Sequence, residues 1–503
     1  MNDETKRTDG LCDSVEAADK NATNAAAAMS DDMPSDMPDK KTAEYKAEPV
    51  TDEARSVKSK VKAKKEKKAS PTWKSILRGA AIGLLLVAFF WGGYLTFYLS
   101  YGKDLQSLLF VYKTYKDHYY FEDGSDIPAK VLTDGLMDRY SEYYTAEEYY
   151  KEKQSARGSR QGYGISFVDF LVYKVSGNSP AEKAGLKRGG EIVAYRFNDD
   201  EFQTVGKFAD FSSALSKATA QDVLSLRVRY GEEYETFSMK KAEYRESYVR
   251  YTDSTGKYSF TDDGGAMELV RGGDMPSDLG LKPDWGYIEY SSFYGDVDGI
   301  YGSVGQFTCV LDKMIENGKI KLIIDLRNNG GGYMSILQKL SGLFCKKIPS
   351  GERLAQVAEY KNGNKRTFGI VDTYGKKSDG TLYADYLENI VFLANENSAS
   401  ASEALIGAVL DYDKESGANC VRVVVDGSKT EAGATVYKTY GKGIMQSTFE
   451  NPATGEALKL TTARIYWPLS GTCIHDEGIT PQTDSRVFAA VGANSVAYAC
   501  SLV

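Results

Sequence analysis

The chain has 503 residues, 62 Lys and Arg against 70 Asp and Glu, a net charge of −8 and 42% apolar residues. At roughly 150 residues per domain this suggests about three folded units, and the acidic balance supplies no chain-wide phosphate-neutralising surface, so no nucleic-acid partner is expected. Six cysteines without a C-x-x-C pair exclude a disulfide-dense scaffold, and the two histidines, His118 and His475, are too far apart for a helical H-E-x-x-H site, so no metal is expected.

Residues 1–74 hold only two aromatics, Tyr45 and Trp73, among short runs of Ala, Asp, Lys, Ser and Thr. Such a segment cannot bury enough apolar area to offset its ordering entropy and is expected to be a disordered tail. Its end is basic, with nine Lys and Arg between Lys58 and Arg78 against the single acid Glu66. Residues 75–102 then contain 24 consecutive uncharged positions between Arg78 and Lys103. That is long enough to span a bilayer core of about 30 Å, and its place in the chain predicts an uncleaved transmembrane signal anchor. Residues 103–126 carry three Lys against five acids, so the positive-inside rule puts the N-terminus in the cytoplasm and everything beyond Lys103 on the far face of the cell membrane. Five cysteines fall there, an odd number that implies no disulfide framework.

Residues 103–157 show apolar periodicity in DLQSLLFVYKTYK and IPAKVLTDGLMDRY and predict a small N-terminal helical unit. His118 lies within it beside Tyr119 and Tyr120, with no partner that would make it a ligand. From 158 to 244 the pattern turns to short strands and turns. Gly162-Tyr163-Gly164-Ile165, then Ser179-Pro180-Ala181 through Leu186, then Gly190-Glu191-Ile192-Val193, resemble a PDZ domain. The resemblance implies that the backbone N–H groups of Gly162, Tyr163, Gly164 and Ile165 hold a peptide's terminal carboxylate while the peptide adds a strand to the sheet. A plain β-rich domain with turn glycines is the simpler alternative.

Residues 245–485 alternate strand-like runs (WGYIEYSSF, KIKLIIDL, NIVFLANEN, CVRVVVDG) with helical ones, an α/β pattern, and 486–503 reads as a C-terminal tail. Two strand ends stand out. Asp325-Leu326-Arg327-Asn328-Asn329-Gly330-Gly331-Gly332 lacks the Lys-Ser/Thr of a phosphate loop, so it is either a plain turn or a place where backbone N–H groups approach an oxyanion. Asn397-Ser398-Ala399-Ser400-Ala401-Ser402-Glu403 contains a capping box, S-x-x-E, which accounts for one serine and not three. A serine at a helix N-terminus also sits in positive potential, which suits catalysis.

A serine nucleophile needs a base, and neither histidine has a supporting motif. Tyr440-Gly441-Lys442-Gly443-Ile444-Met445-Gln446 offers a lysine between glycines. Together with Met137-Asp138-Arg139-Tyr140-Ser141-Glu142-Tyr143, Gly286-Tyr287-Ile288, Ser292-Phe293 and Gly478-Ile479-Thr480-Pro481, these blocks resemble the carboxyl-terminal processing proteases. Those are S41 Ser/Lys peptidases with an inserted PDZ domain. The resemblance runs from about Tyr112 to Pro481 and implies a ClpP/crotonase-like α/β core. It makes Ser400 the nucleophile, Lys442 the general base and Gln446 the residue holding that lysine. The N–H groups of Ala401 and Gly331 become the oxyanion hole and Asp411 a supporting residue; eleven residues after Ser400, Asp411 would lie about 16 Å along a continuous helix, too far for direct contact.

Lys442 must be neutral to accept a proton, so its pKa has to fall about three units, roughly 4 kcal/mol, which an apolar pocket can supply. Lys442 follows Ser400 by 42 residues, longer than usual for the family, the extra length being SKTEAGATVYK, and Lys429 within it competes as the base. Asn397 stands where the family more often has glycine. The expected function is a single-pass serine endopeptidase that cleaves extracytoplasmic proteins at or near free C-termini. The alternative is a catalytically silent, membrane-tethered peptide-binding scaffold; an esterase is disfavoured because no G-x-S-x-G elbow is present. No cofactor is expected, and a homo-oligomer is left open. The 36 tyrosines find no use in this reading.

Overall fold

The computed structural model describes residues 73–118 and 138–503, apart from 263–265, 350–352, 378, 431–432, 453, 491 and 493. Of the tail expected over 1–74, residues 1–72 lie outside the described residues. The described chain falls into two units, each taken by itself.

The first is one helix, Trp73–His118. Its stretch Ile76–Gly102 is 27 residues long with mean hydropathy 1.9, about 40 Å at 1.5 Å per residue. Leu84, Phe89, Phe90, Trp91 and Leu99 are all exposed. An apolar helix with no apolar side covered is long and apolar enough to cross a membrane. The helix continues past Gly102 to His118 without a break, so the first part of the helical unit expected from 103 belongs to this same element. The later part differs as well. Asp138 accepts from Tyr140 N and from Ser141 Oγ, turning the chain, and Glu142–Tyr144 is a strand paired with Ala457–Lys459. Helix resumes only at Ala146–Ala156, started by the capping box of Thr145 and Glu148. The tyrosine-rich EYY fits a pleated surface better than a helix. Residues 119–137 lie outside the described residues.

The second unit is built on a nine-stranded sheet. Its middle strands, Trp285–Tyr290, Lys321–Asp325, Asn389–Ala394 and Val421–Lys429, run parallel in that order, with Val487–Ala490 parallel to Val421–Lys429. These segments read as unbroken apolar runs because both faces are covered. Ile324, Phe392 and Val423 face a core made with the helices Ser303–Glu316, Met334–Phe344 and Ala401–Ser416. Ile323, Val391, Leu393 and Val424 face the other way, onto Val496, Ala499 and Cys500. Residues 486–503 are therefore not a tail. Val487–Ala490 completes the sheet and Ser495–Ala499 caps its second face, which parallel strands cannot leave open to water.

A five-stranded sheet of Glu142–Tyr144, Ala457–Tyr466, Leu354–Tyr360, Lys365–Gly369 and Ile444–Glu450 lies on the far side of the helix Ala401–Ser416. That helix is buried almost all round, from Ala401 to Asp413. Residues 159–245 form a smaller β-rich lobe with its own core around Val172, Ile192, Phe211, Leu226 and Phe237. Its entry strand Ser159–Gly162 pairs with its exit strand Ala242–Arg245, so the lobe leaves and rejoins the larger body through one two-stranded ribbon. The sequence SKTEAGATVYK becomes a hairpin: Gly427–Lys429 pairs with Thr435–Tyr437 at the edge of the large sheet.

Candidate active site

Asp325 is in parallel register with Leu393, one residue before the strand end at Ala394, so the two turns singled out in the sequence meet. Three serines divide the work. Buried Ser398 donates to Leu326 O at 2.8 Å, and buried Ser402 donates to Asn329 O at 2.9 Å. Both tie the serine turn to the glycine turn, which is why a capping role could explain only one of them. Ser400, between them, is the serine that opens onto a cavity. Its backbone has φ 58° and ψ −115°, a region that costs a residue with a side chain about 1–3 kcal/mol and persists only where the surroundings impose it.

Those surroundings centre on Glu403, a residue that reading S-x-x-E as a helix cap undervalued. Its fully buried carboxylate accepts from Ser400 N at 2.9 Å, Gly441 N at 2.8 Å, Lys442 N at 2.9 Å and Thr439 Oγ1. One side chain thus holds the serine turn and the lysine loop together. Burial raises its pKa despite those four donors. The lysine loop is braced from behind as well. A Cβ on Gly443 would lie 2.6 Å from His475 N, and Asp476 N donates to Gly441 O at 2.9 Å. The tail motif around His475 is a buttress, and His475 does not line the cavity.

Ser400, Ala401, Gly331, Lys442 and Gln446 all line this one cavity of about 1190 Å³. The Lys442 ammonium sits 4.8 Å from the centroid of the Tyr140 ring. Burial, reinforced by the charge of Lys459 and partly opposed by Asp138 and Glu403, brings the Lys442 pKa down to about 8. About one molecule in ten is then neutral at pH 7, against about one in several thousand for a free lysine. The motif around Tyr140 acquires a use: Asp138 and Ser141 form the turn that presents the ring, and Ser141 Oγ accepts from Thr461 N at 3.1 Å.

Not every expected role is met. Gly331 is packed as a glycine must be: with φ +89°, a Cβ there would fall 2.6 Å from Ala399 O and 2.7 Å from Ala401 N. Its own N–H, however, donates to Asn329 Oδ1 at 3.0 Å, so in this state the Gly331 donor expected for an oxyanion is engaged. The amide of Gln446 donates to Thr461 Oγ1 at 3.0 Å, not to Lys442; it lies on a strand in register with Thr461, which turns its side chain along the sheet. Asp411 accepts from Leu469 N and Ser470 N, both at 2.9 Å, and pins a surface turn. Lys429 is exposed on the hairpin and does not line the cavity. Asn397 donates to Asn328 Oδ1 at 3.0 Å, a bond glycine could not make. The Gly162–Ile165 loop does not line the cavity either, whereas Ser166, Val168, Leu171 and Tyr173 of the same lobe do.

Residues 284–416 match the model of peptidase family S41. The chain is 25% identical over 388 residues to a protein of Staphylococcus epidermidis (strain ATCC 12228 / FDA PCI 1200) named "probable CtpA-like serine protease". That alignment covers 75% of this chain and 65% of the relative. A protein of the same name from Staphylococcus aureus (strain COL) is 26% identical over 389 residues, covering 75% and 64%. The chain thus spans just under two thirds of the length of these relatives. Among solved structures, the photosystem II D1 C-terminal processing protease aligns with TM-score 0.42 and 18% identity over 73% of this chain and 84% of its own. The match to the peptidase family S41 model thus covers residues 284–416, the part of the chain that carries the glycine turn and the serine turn.

Proposed function

We propose that the protein is a membrane-anchored serine endopeptidase that works through Ser400 and Lys442. The observation carrying this reading is a strained serine and a lysine of lowered pKa in one cavity, their backbones joined through Glu403. In the proposed mechanism neutral Lys442 accepts the Ser400 hydroxyl proton as Oγ attacks the peptide carbonyl carbon. The resulting oxyanion is met by the N–H of Ala401 at the helix N-terminus. The C–N bond then breaks as the lysine ammonium returns the proton to the leaving amine, leaving an acyl-enzyme. Water, deprotonated by the same lysine, attacks the acyl carbon, and the ester C–O bond breaks as the lysine ammonium returns that proton to Ser400 Oγ, releasing the acid and restoring the free enzyme. For Gly331 N–H to join the oxyanion hole it must leave Asn329 Oδ1, so substrate binding is coupled to a small movement of that turn.

The lobe 158–244 is read as a PDZ domain whose edge strand, Ile165–Val168, accepts a peptide strand and whose Gly162–Ile165 loop receives a terminal carboxylate. The helix Trp73–His118 is read as a single-pass anchor with its N-terminus cytoplasmic and the peptidase outside. The test is cleavage of an unstructured protein by the full chain in detergent. Ser400→Ala and Lys442→Ala are each expected to abolish it, and activity retained in either variant overturns the assignment.

A further inference from the structure

Glu152, on the helix Ala146–Ala156, lines the same cavity as Ser400. The hydroxyls of Tyr294 and Tyr333 each approach its Oε1 at 3.5 Å, and their rings meet edge to face with centroids 5.1 Å apart. Tyr144 and Tyr149 add a second ring pair, 6.2 Å apart, on the same cavity wall. This group is close to the serine. Tyr333 N donates to Phe293 O and Phe293 N to Gly331 O, and Gly331 packs directly against Ser400 Cβ.

Several other charges on the cavity are compensated. Arg160, which stacks on Tyr294, and Lys174 both pair with buried Glu246. Lys153 pairs with Glu450, and Asp296 with Lys339. Lys442 and Lys459 also line the cavity and make no salt bridge to Glu152 among the described residues. Arg157 is exposed, lines the cavity as well, and makes no salt bridge to Glu152 among the described residues. Glu152 is left with tyrosines and, among the described residues, no cation in salt-bridge reach.

We propose that this tyrosine-walled carboxylate is a specificity subsite that receives a lysine or arginine side chain of the peptide, close to the bond being cut. It rests on the peptidase reading above. A cationic side chain gains a charge-assisted bond to Glu152 and the electron-rich ring faces. An acidic one meets like charge, and an apolar one strips water from the carboxylate without replacing it.

The test compares peptides that differ at one position near the scissile bond, carrying Lys, Ala, Leu or Glu, with the full chain in detergent. At one position Lys is expected to exceed Ala by about tenfold in kcat/KM. Glu152→Gln should bring that ratio to within about twofold, and Glu152→Lys should reverse it in favour of Glu. Binding of the same peptides to Ser400→Ala and to Ser400→Ala with Glu152→Gln, read by fluorescence anisotropy, measures the subsite without turnover. A Lys preference present in the first and absent in the second supports the proposal. Equal binding of Lys and Ala peptides by Ser400→Ala overturns it, even where the wild-type enzyme cleaves both. A Lys preference in binding with no cleavage of any peptide by the wild-type chain overturns the peptidase reading instead.

Discussion

In the proposed mechanism Lys442 must lose its proton before Ser400 can react, which makes the pH profile a readout of the lysine's surroundings. With Lys442 at about 8, kcat/KM is expected to rise close to tenfold per pH unit below that value and to level off above it; a profile flat from pH 6 to 9 would remove Lys442 as the base. The same shift bears on stability. The folded pKa lies below the unfolded value of 10.5, so between the two the unfolded chain binds more protons and stability rises with pH. The penalty is complete below about pH 8 and gone above 10.5. Lys442→Met should therefore raise Tm at pH 7, by the equivalent of about 1–3 kcal/mol, with a gain over wild type that shrinks toward pH 10.5. Glu403→Gln should do the opposite. Its amide nitrogen would face the N–H donors of Ser400, Gly441 or Lys442, at a cost of about 2–4 kcal/mol. Activity is expected to fall at least 100-fold, checked by thermal unfolding alongside kinetics.

At the scale of elements, the helix Ala401–Ser416 can carry a strained residue at its start because it is held on all sides between two sheets. The hairpin Gly427–Tyr437 stands apart from this arrangement, extending the edge of the large sheet. Lys429→Ala should accordingly leave kcat/KM within about twofold of wild type, and a loss comparable to that of Lys442→Ala would reassign the base. The hairpin explains why 42 residues separate Ser400 from Lys442 without moving the lysine out of the cavity. An insertion at a sheet edge lengthens the chain between two points and leaves their separation in space to the sheet.

For the whole molecule, residues of the small lobe and of the large body line one cavity; under the proposed function a peptide held along the edge strand Ile165–Val168 would run into that cavity toward Ser400. If the lobe reads terminal carboxylates, a peptide with a free C-terminus should be cleaved at least several-fold faster than its amidated twin; equal rates would mean that the lobe guides substrate without reading its end. The sequence alone was enough to find the apolar helix, the α/β alternation, the serine turn, the glycine turn and the Gly-Lys-Gly loop, because each is a local pattern of hydrophobicity or backbone freedom. What it could not supply depends on residues far apart in the chain. Glu403 keeps its capping-box bond to Ser400 N, but that Thr439, Gly441 and Lys442 also donate to it appears only once the chain is folded. Gln446 looked like a lysine ligand until strand register turned it to Thr461, and residues 486–503 looked like a tail until the open face of the sheet required them. Several of the scattered tyrosines proved to be neighbours around Glu152. Short-range sequence records propensity and spacing, but which carboxylate neutralises which donor is decided by the packing that removes them from water, and that exists only in the folded chain.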